Sequence, residues 1–365
     1  MSAAEVGGLE AQVRARRGDF TLDVNLTLPG SGISCLFGPS GAGKTTLLRC
    51  LAGLTEAAGR VTCRGAVWQD DARGVRLPVH ARRVGYVFQD AALFPHLSVA
   101  GNLDYAEQRV PAAEQACTRA DVVGWLGLEP LLERDPRTLS GGQRQRAAIA
   151  RALLSAPRLL LMDEPVASLD LAARSEVLDH LQRVQRRLAL PVVYVTHSPD
   201  EVARLADHVV WLDQGRARAA GPTPELLGRL ELGVTLGGDA VSALAATVRE
   251  HDPDYPQTVL DCPWGPLRVA RLDRAPGEVV RVRLRASDVS VDLDPPGRSS
   301  ISNVLEVRVL GMSPLQDGEV LVRLGGPPAA SEEALLARIT TRSRDLLELA
   351  EGAQVYARVK AVSLS

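Results

Sequence analysis

Hydrophobic positions recur along this chain in two different ways. From Phe20 to about Gly221, short apolar runs alternate with longer helical stretches, the pattern of an α/β domain on a mainly parallel sheet. Ile33–Phe37 leads through a glycine-rich turn into Thr45–Leu54, which reads as strand, loop, helix. Leu159–Met162 and Val192–Thr196 are continuous apolar runs too short for helices, so they are expected to be buried strands. The stretch from Gln89 to Ser140, rich in Ala, Leu and acidic residues, reads as a helical insertion. Asp207–Leu212 followed by Asp213-Gln214-Gly215 reads as a strand and a turn. After Gly221-Pro222-Thr223-Pro224 the character changes, and from about Leu267 apolar residues alternate at period two. Val280, Val282 and Leu284 share a face, as do Leu305, Val307 and Val309, then Val320, Val322 and Leu324, then Val355, Ala357, Val359 and Ala361. Turn signals at Pro295-Pro296-Gly297, Asp317-Gly318 and Gly325-Gly326-Pro327 separate these runs, so the C-terminal part is expected to be a small all-β barrel. The Arg281, Arg283 and Arg285 stripe is expected to be a solvated strand face and not an anion site.

Composition narrows the class. The 365 residues suffice for two domains with separate cores. The formal net charge of −2 gives no overall attraction to nucleic acid. No apolar run reaches the roughly 20 residues of a membrane-spanning helix, and Met1–Glu10 lacks the basic-then-apolar pattern of an export signal. Cys35, Cys50, Cys63, Cys117 and Cys262 are scattered, without metal-ligand spacing, as unpaired thiols in a reducing compartment would be. Of 42 cationic residues only Lys44 and Lys360 are lysines. Where arginine has replaced nearly every lysine, a surviving lysine suggests a site that needs a compact ammonium, although chance explains either one alone.

Two segments carry phosphate chemistry. Gly38-Pro39-Ser40-Gly41-Ala42-Gly43-Lys44-Thr45, followed by Thr46, fits G-x-x-x-x-G-K-[ST] between an expected strand and helix. Its backbone N–H groups would cradle phosphates at the helix N-terminus. Lys44 would reach the β- and γ-phosphates of ATP, and Thr45 would hold Mg²⁺. Arg158–Glu164 is an apolar strand ending in two carboxylates, with Asp163 suited to Mg²⁺ and Glu164 to general-base activation of water.

Further segments resemble the ATP-binding subunits of ABC transporters. Leu139-Ser140-Gly141-Gly142-Gln143 resembles the family's signature sequence, Gln89 its Q-loop, Ser168-Leu169-Asp170 its D-loop and His197 its switch histidine. These lie in the family's order within roughly the first 230 residues. The resemblance implies a homodimer of cassettes with two ATP molecules between them. Ser140, Gly141, Gly142 and Gln143 of one subunit would face the γ-phosphate held by the other. Asp170 would lie at the same interface, Gln89 and Asp163 near the metal, and His197 beside Glu164. Phe20 lies where the family stacks an aromatic on adenine, though core packing would also account for it.

The segment Leu93–Val99 resembles ATPases of binding-protein-dependent importers, in which it receives a helix of a separate membrane permease. Ser299–Leu305, Leu336–Thr340 and Tyr356–Ser363, with Arg285–Ser290 ahead of them, resemble the molybdate-binding Mop domain of molybdate importer ATPases. That likeness implies an oxyanion site using Ser300, Ser302, Lys360 and Ser363, with Ser302 standing where the family usually has arginine. The expected organisation is a cassette over 1–232, a linker and leading β-segment over 233–296, and a Mop-like β domain over 297–365. The implied role is hydrolysis of ATP at the cytoplasmic face of the inner membrane, powering uptake of molybdate, with tungstate as a second substrate. A substrate-binding protein would be an indirect partner, and nucleic acid is not expected as one. An importer ATPase for sulfate, iron or polyamine, or a soluble ABC ATPase outside transport, are the alternatives.

Overall fold

The computed structural model describes residues 8–295, 297, 299–326, 333–360 and 362–364. The chain divides into two compact units, Met1–Ser198 with Leu205–Ala220, and Pro199–Arg204 with Gly221–Ser365.

The first unit is built on a six-stranded sheet. Its strand order is Arg216–Pro222, His208–Asp213, Ile33–Phe37, Val192–Thr196, Leu159–Asp163, Val84–Val87. The last five pair in parallel. The strands Ile33–Phe37 and Val192–Thr196 are buried at every position, which is why they read as continuous apolar runs. Each fully buried Leu or Val in them contributes about 1.5–3 kcal/mol relative to exposure.

A second sheet was not anticipated from the sequence. It runs Phe20–Leu28, Leu9–Arg17, Ala58–Cys63, Ala66–Asp70, Val75–Arg76, and the pairs that join these neighbours are antiparallel. In Leu9–Arg17 the residues Leu9, Ala11, Val13 and Ala15 face the core while the intervening residues are exposed. That is a period-two strand whose polar face is written largely in arginine.

The helical insertion contains Val99–Glu107 and Arg119–Leu126, followed by Gly141–Leu154. Each of these helices opens on a side-chain cap, from Ser98, Thr118 and Ser140 respectively. Leu171–Arg187 is likewise capped, by Asp170.

The second unit holds two five-stranded sheets of antiparallel pairs. One is ordered Gly265–Ala270, Gln257–Cys262, Val241–His251, Val279–Arg285, Ser363–Leu364. The other is ordered Val289–Asp292, Gln354–Val359, Asn303–Pro314, Glu319–Gly325, Leu335–Thr340. Residues from both sheets, from Leu244 to Val359, form one hydrophobic cluster, and the two sheets make an almost closed barrel. The expected faces are buried at Val280, Val282, Leu284, Leu305, Val307, Val309, Val320, Val322, Leu324, Val355, Ala357 and Val359; Ala361 lies outside the described residues. The arginine stripe is only partly solvated, since Arg281 and Arg283 are half-buried and Arg285 is exposed.

Candidate functional site

Parallel pairing brings the phosphate-binding and acidic segments together. Phe37 is in register with Thr196, Val195 with Asp163, and Met162 with Val87. Four chain segments therefore leave one edge of the sheet side by side: the loop from Gly38, His197, Asp163-Glu164 and Phe88-Gln89. The carboxyl edge of a parallel sheet is where such folds bind ligands.

The loop Gly38–Gly43 owes its shape to missing side chains. A Cβ on Gly38 would sit 2.0 Å from the Leu212 carbonyl oxygen, and one on Gly43 would sit 2.7 Å from the Phe20 ring. Gly43 also has φ +98°, a left-handed conformation that glycine adopts at little cost. The helix Lys44–Ala52 follows with no side-chain cap, so its first-turn N–H groups are left for a ligand. Lys44 Nζ donates to Gly38 O at 2.7 Å and Pro39 O at 2.8 Å. Burial pushes its ammonium below the usual lysine range, and Glu164 and Asp163 pull it partly back. Pro39, Ser40, Gly41 and Ala42 complete the loop, with Ala42 buried at 2% exposure. Thr46 lies in the first turn of the helix. Phe20 is half-buried, its ring against Gly43.

Thr45 Oγ1 donates to Asp163 Oδ1 at 2.8 Å, and Tyr86 OH donates to Asp163 Oδ2 at 3.1 Å. Tyr86 was not singled out from the sequence. Its one signal is its place on the strand before Gln89. Burial, reinforced by the Asp163 charge, pushes the Tyr86 phenol well above its ordinary range, so it stays a neutral donor. Glu164 occupies a left-handed backbone position, φ +44°, uncommon for a side chain of this size. Its carboxylate lies 3.2 Å from His197 Nδ1. Gln89 is exposed beside this cluster in sequence, immediately after Phe88. Thr45, Asp163, Glu164, His197 and Lys44 are thus joined by direct bonds or charge.

The Ser140 segment stands at the start of the helix Gly141–Leu154. Gln143 N donates to Ser140 Oγ at 3.2 Å while Ser140 N donates to Gln143 Oε1 at 3.0 Å, a reciprocal capping box. Gly141 and Gly142 pack against Leu169 and Ala173, so the segment rests on the start of the Asp170 helix. Among the described residues no group of three or more His, Cys, Asp or Glu side chains is arranged to hold a metal ion.

In the second unit an open cleft of about 440 Å³ is lined by Ser287, Ser290, Thr340, Ser343, Arg338 and Lys360, with Ile301, Asp288 and Glu319 among its other walls. Of the four residues implied by the Mop resemblance, Lys360 lines this cleft. Ser300 and Ser302 flank Ile301 and are exposed. Ser363 pairs in register with Arg283 on a neighbouring strand and does not line it. The hydroxyls of Ser287, Ser290, Thr340 and Ser343 were not singled out. They lie within or just beyond the segments that carried the resemblance, but only the folded sheet reveals their convergence.

The family model described as ABC transporter matches residues 21–167, and that described as TOBE domain matches 299–365. The molybdenum import ATP-binding protein ModC 1 of Azotobacter vinelandii is 50% identical over 359 residues, covering 98% of each chain. Molybdenum import ATP-binding protein ModC of Pseudomonas aeruginosa is 49% identical over 363 residues, covering 98% of this chain and 99% of its own. Among solved structures, CbiO1 of Clostridium perfringens, described as part of the ABC transporter complex CbiONQ, superposes with a TM-score of 0.53. It is 26% identical and covers 64% of this chain and 95% of its own. With a full-length likeness at this level and both domain models in place, the chain belongs to the ModC family of ABC transporter ATP-binding proteins.

Proposed function

We propose that the chain hydrolyses MgATP to power molybdate import through a separate membrane permease. The observation that carries this is the convergence of Lys44, Thr45, Asp163, Glu164 and His197 on one sheet edge. The names of the full-length relatives supply the cargo.

Each residue's role follows from its surroundings. The uncapped N–H groups after Gly43 and the desolvated Lys44 ammonium bind the β- and γ-phosphates. Thr45 and Asp163 present two hard oxygens within hydrogen-bond reach of one another, a donor set that suits Mg²⁺. The ion, bound there with Gln89 nearby, would neutralise charge building on the phosphates. Glu164 takes the proton of the attacking water, and His197 fixes the orientation of that carboxylate. Phe20, its ring against Gly43, lies beside the loop where adenine would stack on it.

Ser140 and Gly142 complete the site of an opposite cassette in a head-to-tail dimer. Leu171, 84% exposed directly after Asp170, is free to contribute apolar surface to that interface. In the second unit, Lys360, Thr340, Ser343, Ser287 and Ser290 are proposed to bind a tetrahedral oxyanion by hydroxyl donors and one compact cation. Arg338 is held by Glu319 at 3.2 Å and adds less charge than its presence suggests. The segment Leu93–Val99 is the permease-docking loop, and among the described residues no helix is long and apolar enough to cross a membrane. On this reading the chain works at the cytoplasmic face of the membrane, docked on the permease.

The test is reconstitution of the full chain with its permease and binding protein in lipid vesicles. Molybdate, and not equimolar sulfate, should raise ATP turnover. Equal stimulation by sulfate would move the assignment to another cargo.

A further inference from the structure

The loop Phe94–Ser98 is held in place chiefly by a single side chain. Asn102, 0% exposed, accepts from Phe94 N at 2.8 Å and donates to Phe94 O at 3.1 Å and Ser98 O at 3.0 Å, with a longer contact to Leu97 O. The loop thereby behaves as one piece with the start of the helix Val99–Glu107. Upstream of it, Ala91 and Ala92 both have left-handed backbones, φ +60° and +47°.

Arg151 joins this piece to a different element. It lies near the end of the helix Gly141–Leu154, 11 residues or about 16 Å from its Ser140 cap. Arg151 Nη1 donates to Asn102 Oδ1 at 3.3 Å, and its guanidinium covers the Phe94 ring at 4.9 Å. Phe94 also packs against Tyr105 with ring centroids 4.5 Å apart. A helix is stiff along its axis, so a displacement taken up at Arg151 reappears at Ser140.

We propose that Asn102 and Arg151 are positioning residues that couple the Phe94–Ser98 loop to the Ser140 end of the Gly141–Leu154 helix. A permease helix seated on the loop thereby sets how Ser140 and Gly142 meet the opposite cassette's nucleotide. This coupling rests on the reading of Leu93–Val99 as the docking loop. Neither Asn102 nor Arg151 touches the Lys44 loop, Asp163 or Glu164, so their loss affects coupling and spares the hydrolytic groups.

The experiment uses the full chain, alone and assembled with its permease and molybdate-loaded binding protein in lipid vesicles. Arg151→Met keeps the aliphatic stem and removes the donors. Its basal ATP turnover and KM should stay within two-fold of the parent, while stimulation by the loaded binding protein falls at least ten-fold. Arg151→Lys, which retains one donor toward Asn102, should recover part of the stimulation. If Arg151→Met melts too low to compare, Arg151→Gln tests the same loss of the guanidinium. A His96→Cys cross-link to the permease reports docking independently, since His96 is exposed on the loop. Persisting cross-link with stimulation within two-fold of the parent overturns the coupling. Absence of the cross-link in the otherwise unaltered assembly overturns the docking reading, and the coupling with it.

Discussion

The chain's two lysines occupy opposite surroundings. Lys44 is buried at 5% exposure, with two backbone carbonyls on its ammonium and two carboxylates close by. Lys360 is exposed at the rim of an open cleft; its backbone N–H is fixed to Asp288 O at 2.9 Å, and hydroxyl residues from two chain segments share the lining with it. In the first site the backbone itself makes the anion hole, and the lysine completes a structure already fixed by glycines. In the second, as proposed, side chains would make the hole, and the nearby Asp288 and Glu319 would oppose a dianion. A site of the first kind can bind tightly and turn over. One of the second kind is suited to reporting a concentration, since its affinity depends on a few charge-assisted bonds in water-accessible surroundings.

The sharpest test of this contrast acts on the first site. Glu164→Gln removes the base and leaves the phosphate cradle intact, so kcat should fall about 10²–10⁴-fold with nucleotide affinity retained. Single-turnover hydrolysis and nucleotide titration separate the two, and turnover near that of the parent would remove Glu164 from the mechanism. Lys44→Ala should weaken nucleotide binding itself by about 10–150-fold, the net worth of charge-assisted bonds of about 1.5–3 kcal/mol. Equilibrium titration with a non-hydrolysed ATP analogue measures it. Lys360→Ala should cost molybdate affinity about ten-fold or less and leave ATP turnover unchanged, since solvent shares the charge. The readout is the molybdate-dependent rise in melting temperature of the full chain. A loss as steep as that of Lys44→Ala would mean the cleft is closed in the working assembly.

The smallest effect concerns pH. Burial holds His180 below the ordinary histidine value of 6.5, with the Trp125 carbonyl and Glu176 opposing the shift and Arg146 and Arg183 adding to it. The folded state resists a proton that the unfolded chain accepts. Stability from this residue is therefore complete above about pH 6.5 and declines as pH falls below it. Melting temperatures between pH 7.5 and 5.5 should fall, and less so in His180→Asn. His208, also held low by burial, adds a decline in the same direction that survives this substitution.

The parallel strands were legible because burial on both faces writes itself as unbroken apolar sequence, as in Leu159–Met162. The antiparallel sheet around Leu9–Arg17 was not, because alanine and arginine at alternate positions give a weak contrast. Val241–His251 escaped for a related reason: its first four residues are all buried, so no alternation shows. At the nucleotide site the loop, Asp163, Glu164 and His197 could be read from motif and order. Tyr86 could not, since its bond to Asp163 joins residues 77 positions apart. The cleft hydroxylic residues fall in the same category, brought together by strand register alone.

The left-handed backbone at Glu164 sets stability against activity. Asparagine tolerates φ near +44° better than glutamate does. Glu164→Asn should therefore raise the melting temperature, through about 1 kcal/mol of relieved strain, in a protein that no longer turns over. Selection on thermal robustness alone would drift toward that dead variant. On the proposed role of Glu164 as base, the strain serves function and not the fold, and a stabilised version of this enzyme has to be sought at other positions.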